Sequence, residues 1–349
     1  MKKLLAFAAA YFIILFSCTA CTTFLLKKNG QLIFGRNYDW VTAAGMVCTN
    51  LRGLQKTSMN RENKATISWV SDYGSITFNQ YGKEFPNGGM NEKGLVVEMM
   101  WLDATKFPDA DNRPAMNVLQ WIQYQLDKSS TVDDVITTDK MIRIDSKATP
   151  VHYLVADAEG NAATIEFLNG KMVVHKGKEL AIPVLTNNTY EESIQKTAGA
   201  GAGRSFADNS IDRFAKACNM VQQYNVQNIN TPIVDYAFSI LDKVSQGEWT
   251  RWSIVYDITN KKISFKSYGF GNIKTVSFSS FDFSCNSSPK MLNINQNLTG
   301  EVSGSFKNFS IAEGRPILEA AVEESKKEVN IPEPAKEALL NYSSQVKCK

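Results

Sequence analysis

The residues with the clearest chemical potential stand at the end of a hydrophobic leader, in the stretch "FSCTACTTF" at positions 16–24. A cut before Cys21 would give that residue a free α-amine, of ordinary pKa about 7.7–8.0, beside its own thiol, of ordinary pKa about 8.5. One residue then holds both nucleophile and base. The amine takes the thiol proton, directly or through one water, and returns it to a departing amine without help from histidine. This suits a chain whose only histidines are His152 and His175, from which a papain-like pair or a zinc site would otherwise have to be built. Downstream, "GRNYDW" supplies Arg36 and Asp39. A carboxylate there would orient an ammonium, and a guanidinium would favour a thiolate. Each feature taken singly has a plainer reading: Cys21 as a leader cysteine or buried thiol, Arg36 and Asp39 as charges closing a hairpin.

The elements that must position these groups follow from the pattern. Lys2 and Lys3, an apolar run from Leu4 to Phe16, and the small residues Cys18, Thr19 and Ala20 have the layout of a secretory signal. The run is well short of the roughly 20 residues that span a bilayer, so residues 1–20 are expected to be removed and the product to be exported, periplasmic or extracellular, without stable membrane insertion. Next come two β-rich runs joined by Asn29-Gly30, a strong hairpin signal that folds Arg36 and Asp39 back toward Cys21. Further strands are expected at 65–71, 94–102, 151–157, 162–168, 251–258 and 262–270, mostly in hairpins and so largely antiparallel. Helices are expected at 115–128, 131–141, 210–224 and 232–244 from their apolar spacing. Strands and helices in blocks point to a layered α+β fold, with residues 21–285 as one domain. Residues 286–349, richer in Asn, Ser, Lys and Glu, read as a peripheral extension with a charged helix within 316–329.

Bulk properties exclude several classes. A net charge of +3 without a strong block suggests neither nucleic acid nor an anionic membrane as partner. Six cysteines are too few for a disulfide-built scaffold, and the five left after a cut before Cys21 leave at least one free thiol. The Gly-rich "AGAGAGRS" at 198–205 lacks the ending of a phosphate loop and reads as a mobile loop. No cofactor or metal is expected.

Five segments in order, "CTTF" at 21–24, "GRNYDW" at 35–40, "GGMNEKGLVVEMMWL" at 88–102, "VLTNN" at 184–188 and "SIDRF" at 210–214, together resemble the choloylglycine hydrolase and penicillin V acylase family of N-terminal nucleophile hydrolases, over Cys21 to about residue 270. The resemblance implies a four-layer αββα sandwich, a homotetramer, and hydrolysis of linear carbon–nitrogen amide bonds. It also implies roles: Cys21 as nucleophile, Arg36 beside its sulfur, Asp39 holding its amine, Asn187 donating to the oxyanion, and Arg213 as a second site arginine. Asn187 and Asn188 are equally placed to cap a helix, Asn188 with Glu191 at capping-box spacing, and Arg213 could be a surface residue beside an apolar stripe. Asn91 and Gly94 read as turn formers.

The chain departs from the family at Trp101, where an asparagine or tyrosine is usual. An indole has one N–H donor and no acceptor, so the oxyanion would be held by Asn187 and a backbone N–H, with Trp101 either a wall for an acyl group or part of the core. This leaves a bile-salt preference open among bile salts, penicillin V-like amides and N-acyl amides. In each case the partner is a small amide with an apolar acyl half. The alternative of another class is an exported lipoprotein lipidated at Cys18, with no free amine on Cys21 and no hydrolase activity.

Overall fold

The computed structural model describes residues 21–60, 65–201, 204–227 and 229–349; the leader and Cys18 lie outside the described residues, as does part of the Gly-rich loop. The hairpin forms as expected, Thr22–Lys28 against Gln31–Asp39. Its turn residues Asn29 and Gly30 both take positive φ, 52° and 76°, the turn geometry whose twist matches the strands it joins. Thr22 faces Asn37 and Thr23 faces Arg36, which sets the end of the second strand beside Cys21.

Two sheets are built on this start. The first has seven strands in the order 184–185, 22–28, 31–39, 250–257, 262–267, 270–277 and 300–301. Every pairing in it is antiparallel except the last, between 270–277 and 300–301. The second has nine strands in the order 171–176, 162–168, 151–156, 96–101, 86–91, 75–79, 46–50, 290–293 and 307–308, all antiparallel. The sheets pack face to face. Phe78 of the second meets Tyr256 and Phe265 of the first edge-on, at 6.1 and 5.5 Å between ring centres.

Helices cover both outer faces. Phe214, Ala217 and Val221 of one helix (Asn209–Val226) and Phe238 and Leu241 of another (Ile233–Lys243) lie over the seven-stranded sheet. Trp121, Ile122 and Leu126 of a third (Val118–Lys128) join Val97, Tyr153, Val155 and Ile165 on the far side of the nine-stranded sheet. Strands covered on both faces need apolar residues in unbroken runs, which is why Phe24, Leu25 and Leu26 are consecutive and all buried. The result is an αββα sandwich.

Local chemistry moves several expected boundaries. The helix expected from 115 starts at 118 because the Asn117 side chain accepts the N–H groups of Leu119 and Gln120, while Ala115–Met116 pairs with Arg143–Ile144 as a short strand. The segment expected as one helix over 131–141 is helical only to Thr137, then tightens into a single 3₁₀ turn. At the loop 91–95 the Asn91 side chain accepts the N–H groups of Lys93 and Leu95, and Gly94 takes φ 89°, so this is a turn as expected.

The extension expected to be peripheral is threaded into the body. Lys290–Asn293 pairs with Met46–Asn50 and widens the nine-stranded sheet. The charged helix begins earlier than expected, at Ile311, where the Ser310 side chain caps it, and ends at Glu324; a second helix runs Glu333–Asn341. Cys285 and Cys348 form a disulfide, leaving Cys21, Cys48 and Cys218 as the free thiols among the described residues. Among the described residues no helix is long and apolar enough to cross a membrane.

Gly88 shows how tightly the sheet is fitted around the inward carboxylate of Glu98. It faces Glu98 across the strands, and a Cβ there would fall 2.0–2.3 Å from the Glu98 carboxyl atoms. Gly88→Ala is therefore expected to cost about 3 kcal/mol, the upper end of overpacking penalties. The check is the urea unfolding midpoint at unchanged slope, and a loss below about 0.5 kcal/mol would contradict the fit.

Candidate active site

Cys21, at the mouth of the first strand, is 5% exposed and lines a cavity of about 510 Å³. Arg36 reaches it from the neighbouring strand, Nη2 donating toward Cys21 Sγ at 3.7 Å. The guanidinium is itself buried, 1% exposed, and so needs a counter-charge: Glu98 Oε2 lies 3.0 Å from Nη1, and the Met99 carbonyl accepts from the same nitrogen. Burial pushes the Glu98 carboxyl up to about 7, with Arg36 and the Tyr256 hydroxyl, which donates to it, pulling the other way. Burial also raises the Cys21 thiol, and the Arg36 charge opposes that rise. Arg36 is thus the main nearby group that favours a thiolate.

Asp39 closes the other side. Its backbone carbonyl lies 3.8 Å from Cys21 Sγ, and its Oδ1 accepts from the Thr250 hydroxyl at 2.5 Å. Its Oδ2 is buried and has no hydrogen-bond partner among the described residues. With Cys21 still joined to Ala20, burial holds the Asp39 carboxyl up to about 6, chiefly against the pull of Arg213. A buried carboxylate oxygen without a donor is a strong demand for one.

Arg213 and Asn187 complete the cluster. Arg213 is 2% exposed, so it is no surface arginine; its Nη1 donates to the Cys21 carbonyl at 2.5 Å and to Thr22 Oγ1 at 2.6 Å. Its Nη2 donates to Asn187 Oδ1 at 3.1 Å, which fixes the amide with its NH₂ turned the other way. Of the two Asn187 amide hydrogens one is donated to the Trp101 carbonyl at 2.8 Å, leaving a second donor. The helix that follows is capped by Thr189, whose side chain accepts from the Glu192 N–H, so neither Asn187 nor Asn188 performs the capping role that the spacing allowed. The turn carrying Asn187 is gripped at both ends. His152 Nε2 donates to the Thr186 carbonyl at 2.7 Å, and Glu166 Oε1, 3.1 Å from His152 Nδ1, accepts the Tyr190 N–H at 3.0 Å.

Trp101 lines the same cavity and tilts against Trp40, 6.1 Å between ring centres. Its single N–H donates to Asp103 at 2.6 Å, so that donor is already engaged. All six residues singled out from the sequence therefore meet: five in a contiguous network of contacts, and Trp101 joined to it through its carbonyl. Glu98, Trp40 and Tyr81 were missed. A lone glutamate inside the apolar run "VVEMMW" was the one signal that could have marked Glu98 as a buried partner. Among the described residues no group of three or more His, Cys, Asp or Glu is placed to hold a metal ion.

Comparison with known proteins agrees with this geometry. The model of the linear amide C–N hydrolases, choloylglycine hydrolase family, matches residues 21–197, opening on Cys21 itself. The chain is 26% identical over 345 residues to the penicillin V acylase of Pectobacterium atrosepticum, covering 82% of this chain and 90% of that protein. The structure of penicillin V acylase from Agrobacterium tumefaciens superposes with a TM-score of 0.73 at 25% identity, covering 83% of this chain and 98% of the other. A variant of conjugated bile acid hydrolase from Clostridium perfringens shares the fold, with a TM-score of 0.66 at 17% identity over 80% of this chain and 99% of the other. This chain belongs to the choloylglycine hydrolase family of linear amide C–N hydrolases, and it is an N-terminal nucleophile amide hydrolase in fold and class.

Proposed function

We propose that the mature protein is exported, begins at Cys21, and hydrolyses an amide whose acyl half is apolar, with Cys21 as nucleophile and its own α-amine as base. The observation that carries this reading is the unpartnered, buried Asp39 Oδ2 beside the residue whose amine the cut would free. An ammonium there supplies the missing donor.

The reaction then runs in two halves. The Cys21 amine takes the thiol proton, the sulfur held near Arg36 attacks the amide carbonyl, and a C–S bond forms as the carbonyl oxygen gains charge. The second Asn187 hydrogen and a backbone N–H receive that charge. The C–N bond breaks as the ammonium returns its proton to the leaving amine. Water, deprotonated by the same amine, attacks the thioester; the C–S bond breaks, the carboxylic acid leaves, and the thiol is restored. Arg213 binds the Cys21 carbonyl and Asn187 at once, and so keeps nucleophile and oxyanion donor in register. Trp101 and Trp40 form an aromatic wall on which the acyl group lies. Penicillin V-type amides, bile salt conjugates and N-acyl amides all present such a group.

Intact mass of the secreted protein fixes its first residue, and a panel of these amides scored for released amine tests the activity. A chain whose mass requires lipid on Cys18, or one that starts at Cys21 and releases no amine from any of them, refutes the reading. Asn187→Ala should lower kcat by about 10²–10³-fold, roughly 2.7–4 kcal/mol, with a smaller change in KM, because the lost donor acts mainly in the transition state. A change confined to KM would move Asn187 out of the oxyanion role.

A further inference from the structure

The cavity holding Cys21 is shaped partly by the far end of the chain. Val329, Asn330, Ile331, Pro332, Ala335 and Leu339 line it, together with Tyr81, Leu119 and Trp40. We propose that this C-terminal segment is the specificity-determining wall of the site: the apolar acyl group of the substrate ends against Ile331, Pro332, Ala335 and Leu339, and their bulk sets the acyl size accepted. The inference rests on the amidase reading above and names the part of the chain that selects among its substrates.

Three observations support it. Apart from Asn330, the wall is apolar where it meets the cavity, so Ile331, Pro332, Ala335 and Leu339 offer an acyl group burial. It is also coupled to the reacting end. Trp40, the residue after Asp39, donates its Nε1–H to the Tyr81 hydroxyl at 2.9 Å, and that hydroxyl donates to Ser325 Oγ at 2.9 Å, just ahead of the segment.

Finally, the wall is held rigidly. Its helix is joined to the preceding one by Arg315, whose guanidinium forks onto Glu337 at 2.5 and 3.1 Å. Leu340 packs with Tyr81, Leu318 and Ala321. Tyr342 both accepts from the Thr57 N–H and donates to the Thr57 carbonyl, at 3.0 and 2.7 Å. Beyond that, Lys347 and Cys348 pair with Gln55 and Leu54, and Cys348 is bonded to Cys285. A wall fixed in place discriminates by size, whereas a loose one would adapt to each ligand.

The test is a series of amides of one amine with straight acyl chains of increasing length, assayed with wild type, Leu339→Ala, Leu339→Trp and Ile331→Phe. The quantity read is the ratio of kcat/KM for the longest acyl to that for the shortest. Leu339→Ala should raise that ratio about 10-fold or more and the two enlarging changes should lower it by a similar factor, the range over which an apolar pocket distinguishes methylenes. Ile331→Phe keeps the test open if Leu339→Trp does not fold. Equal ratios in all folded variants overturn the proposal while leaving the amidase reading intact. Should wild type release no amine at all, the same substitutions are read through the affinities of the free carboxylic acids of the series. A length ranking that shifts with Leu339 then upholds the wall and rejects the amidase reading; a ranking that does not shift rejects both.

Discussion

In protein that begins at Cys21, Cys21→Ala is expected to lower kcat by about 10⁶-fold, the scale on which losing the nucleophile of a covalent hydrolase acts. The substitution removes one sulfur from a buried site and leaves the charges around it paired as before: Arg36 keeps Glu98, and Arg213 keeps the backbone carbonyl of residue 21. The fold should therefore survive, with a melting temperature within a few degrees of wild type, and the free α-amine remains beside Asp39. Amine release measured over hours, with the melt as control, separates lost chemistry from lost structure. Turnover above about 1% of wild type would mean that some other group attacks the amide.

The second expectation leaves the thiol untouched and removes only the amine. A chain carrying one extra alanine ahead of Cys21 keeps Cys21, Arg36 and Asn187 in place but converts the α-amine into an amide, which neither takes nor gives a proton at neutral pH. Because both halves of the proposed reaction use that amine, kcat should fall by about 10⁴-fold, the upper end of what positioned acid–base groups contribute.

A stability signature accompanies the loss. With residue 21 amide-linked, Asp39 titrates near 6, above its ordinary value, so the folded chain binds that proton more tightly than the unfolded chain does. The contribution is fully present below about pH 4 and is lost as pH rises to about 6. In the chain that starts at Cys21 an ammonium beside Asp39 lowers its pKa and removes that decline. Glu98, held up to about 7, lowers stability over the same range in both proteins, so urea unfolding across pH 4–7 should show a steeper downward slope in the extended chain than in the mature one, and Asp39→Asn should remove that difference. Parallel pH profiles in the two proteins would place the amine elsewhere.

Much of the site was legible because its signals are local. Asn29-Gly30 fixes a two-residue turn, the turn fixes the register, and the register alone brings Arg36 and Asp39 to Cys21. The stripe of apolar residues around Arg213 located its helix, although not that the arginine faces inward. What could not be read is what depends on distant pairing. Glu98 is the counter-charge of Arg36 across the sandwich, on a strand of the other sheet, and nothing in its neighbourhood names its partner. The segment "TNNT" offers four capping side chains of two kinds in a row, and spacing cannot say that Thr189 takes the role and frees Asn187. The polar composition of the last sixty or so residues suggested an outer appendage. Its few apolar residues, Ile331, Leu339 and Leu340 among them, are the ones that count, since they face the cavity and the body.

The order of strands also carries a consequence for when the protein becomes reactive. The first strand lies between 31–39 and 184–185, and the Cys21 carbonyl is held by an arginine 192 positions later. On the function proposed above, the Cys21 thiol would have neither its oxyanion donor nor its second arginine until those remote segments arrive, and would behave as any exposed cysteine does. Contacts of such separation form late and slowly. On that reading the newly made chain would be latent, and a chain that stops short of Arg213 would carry the proposed nucleophile without the groups that serve it.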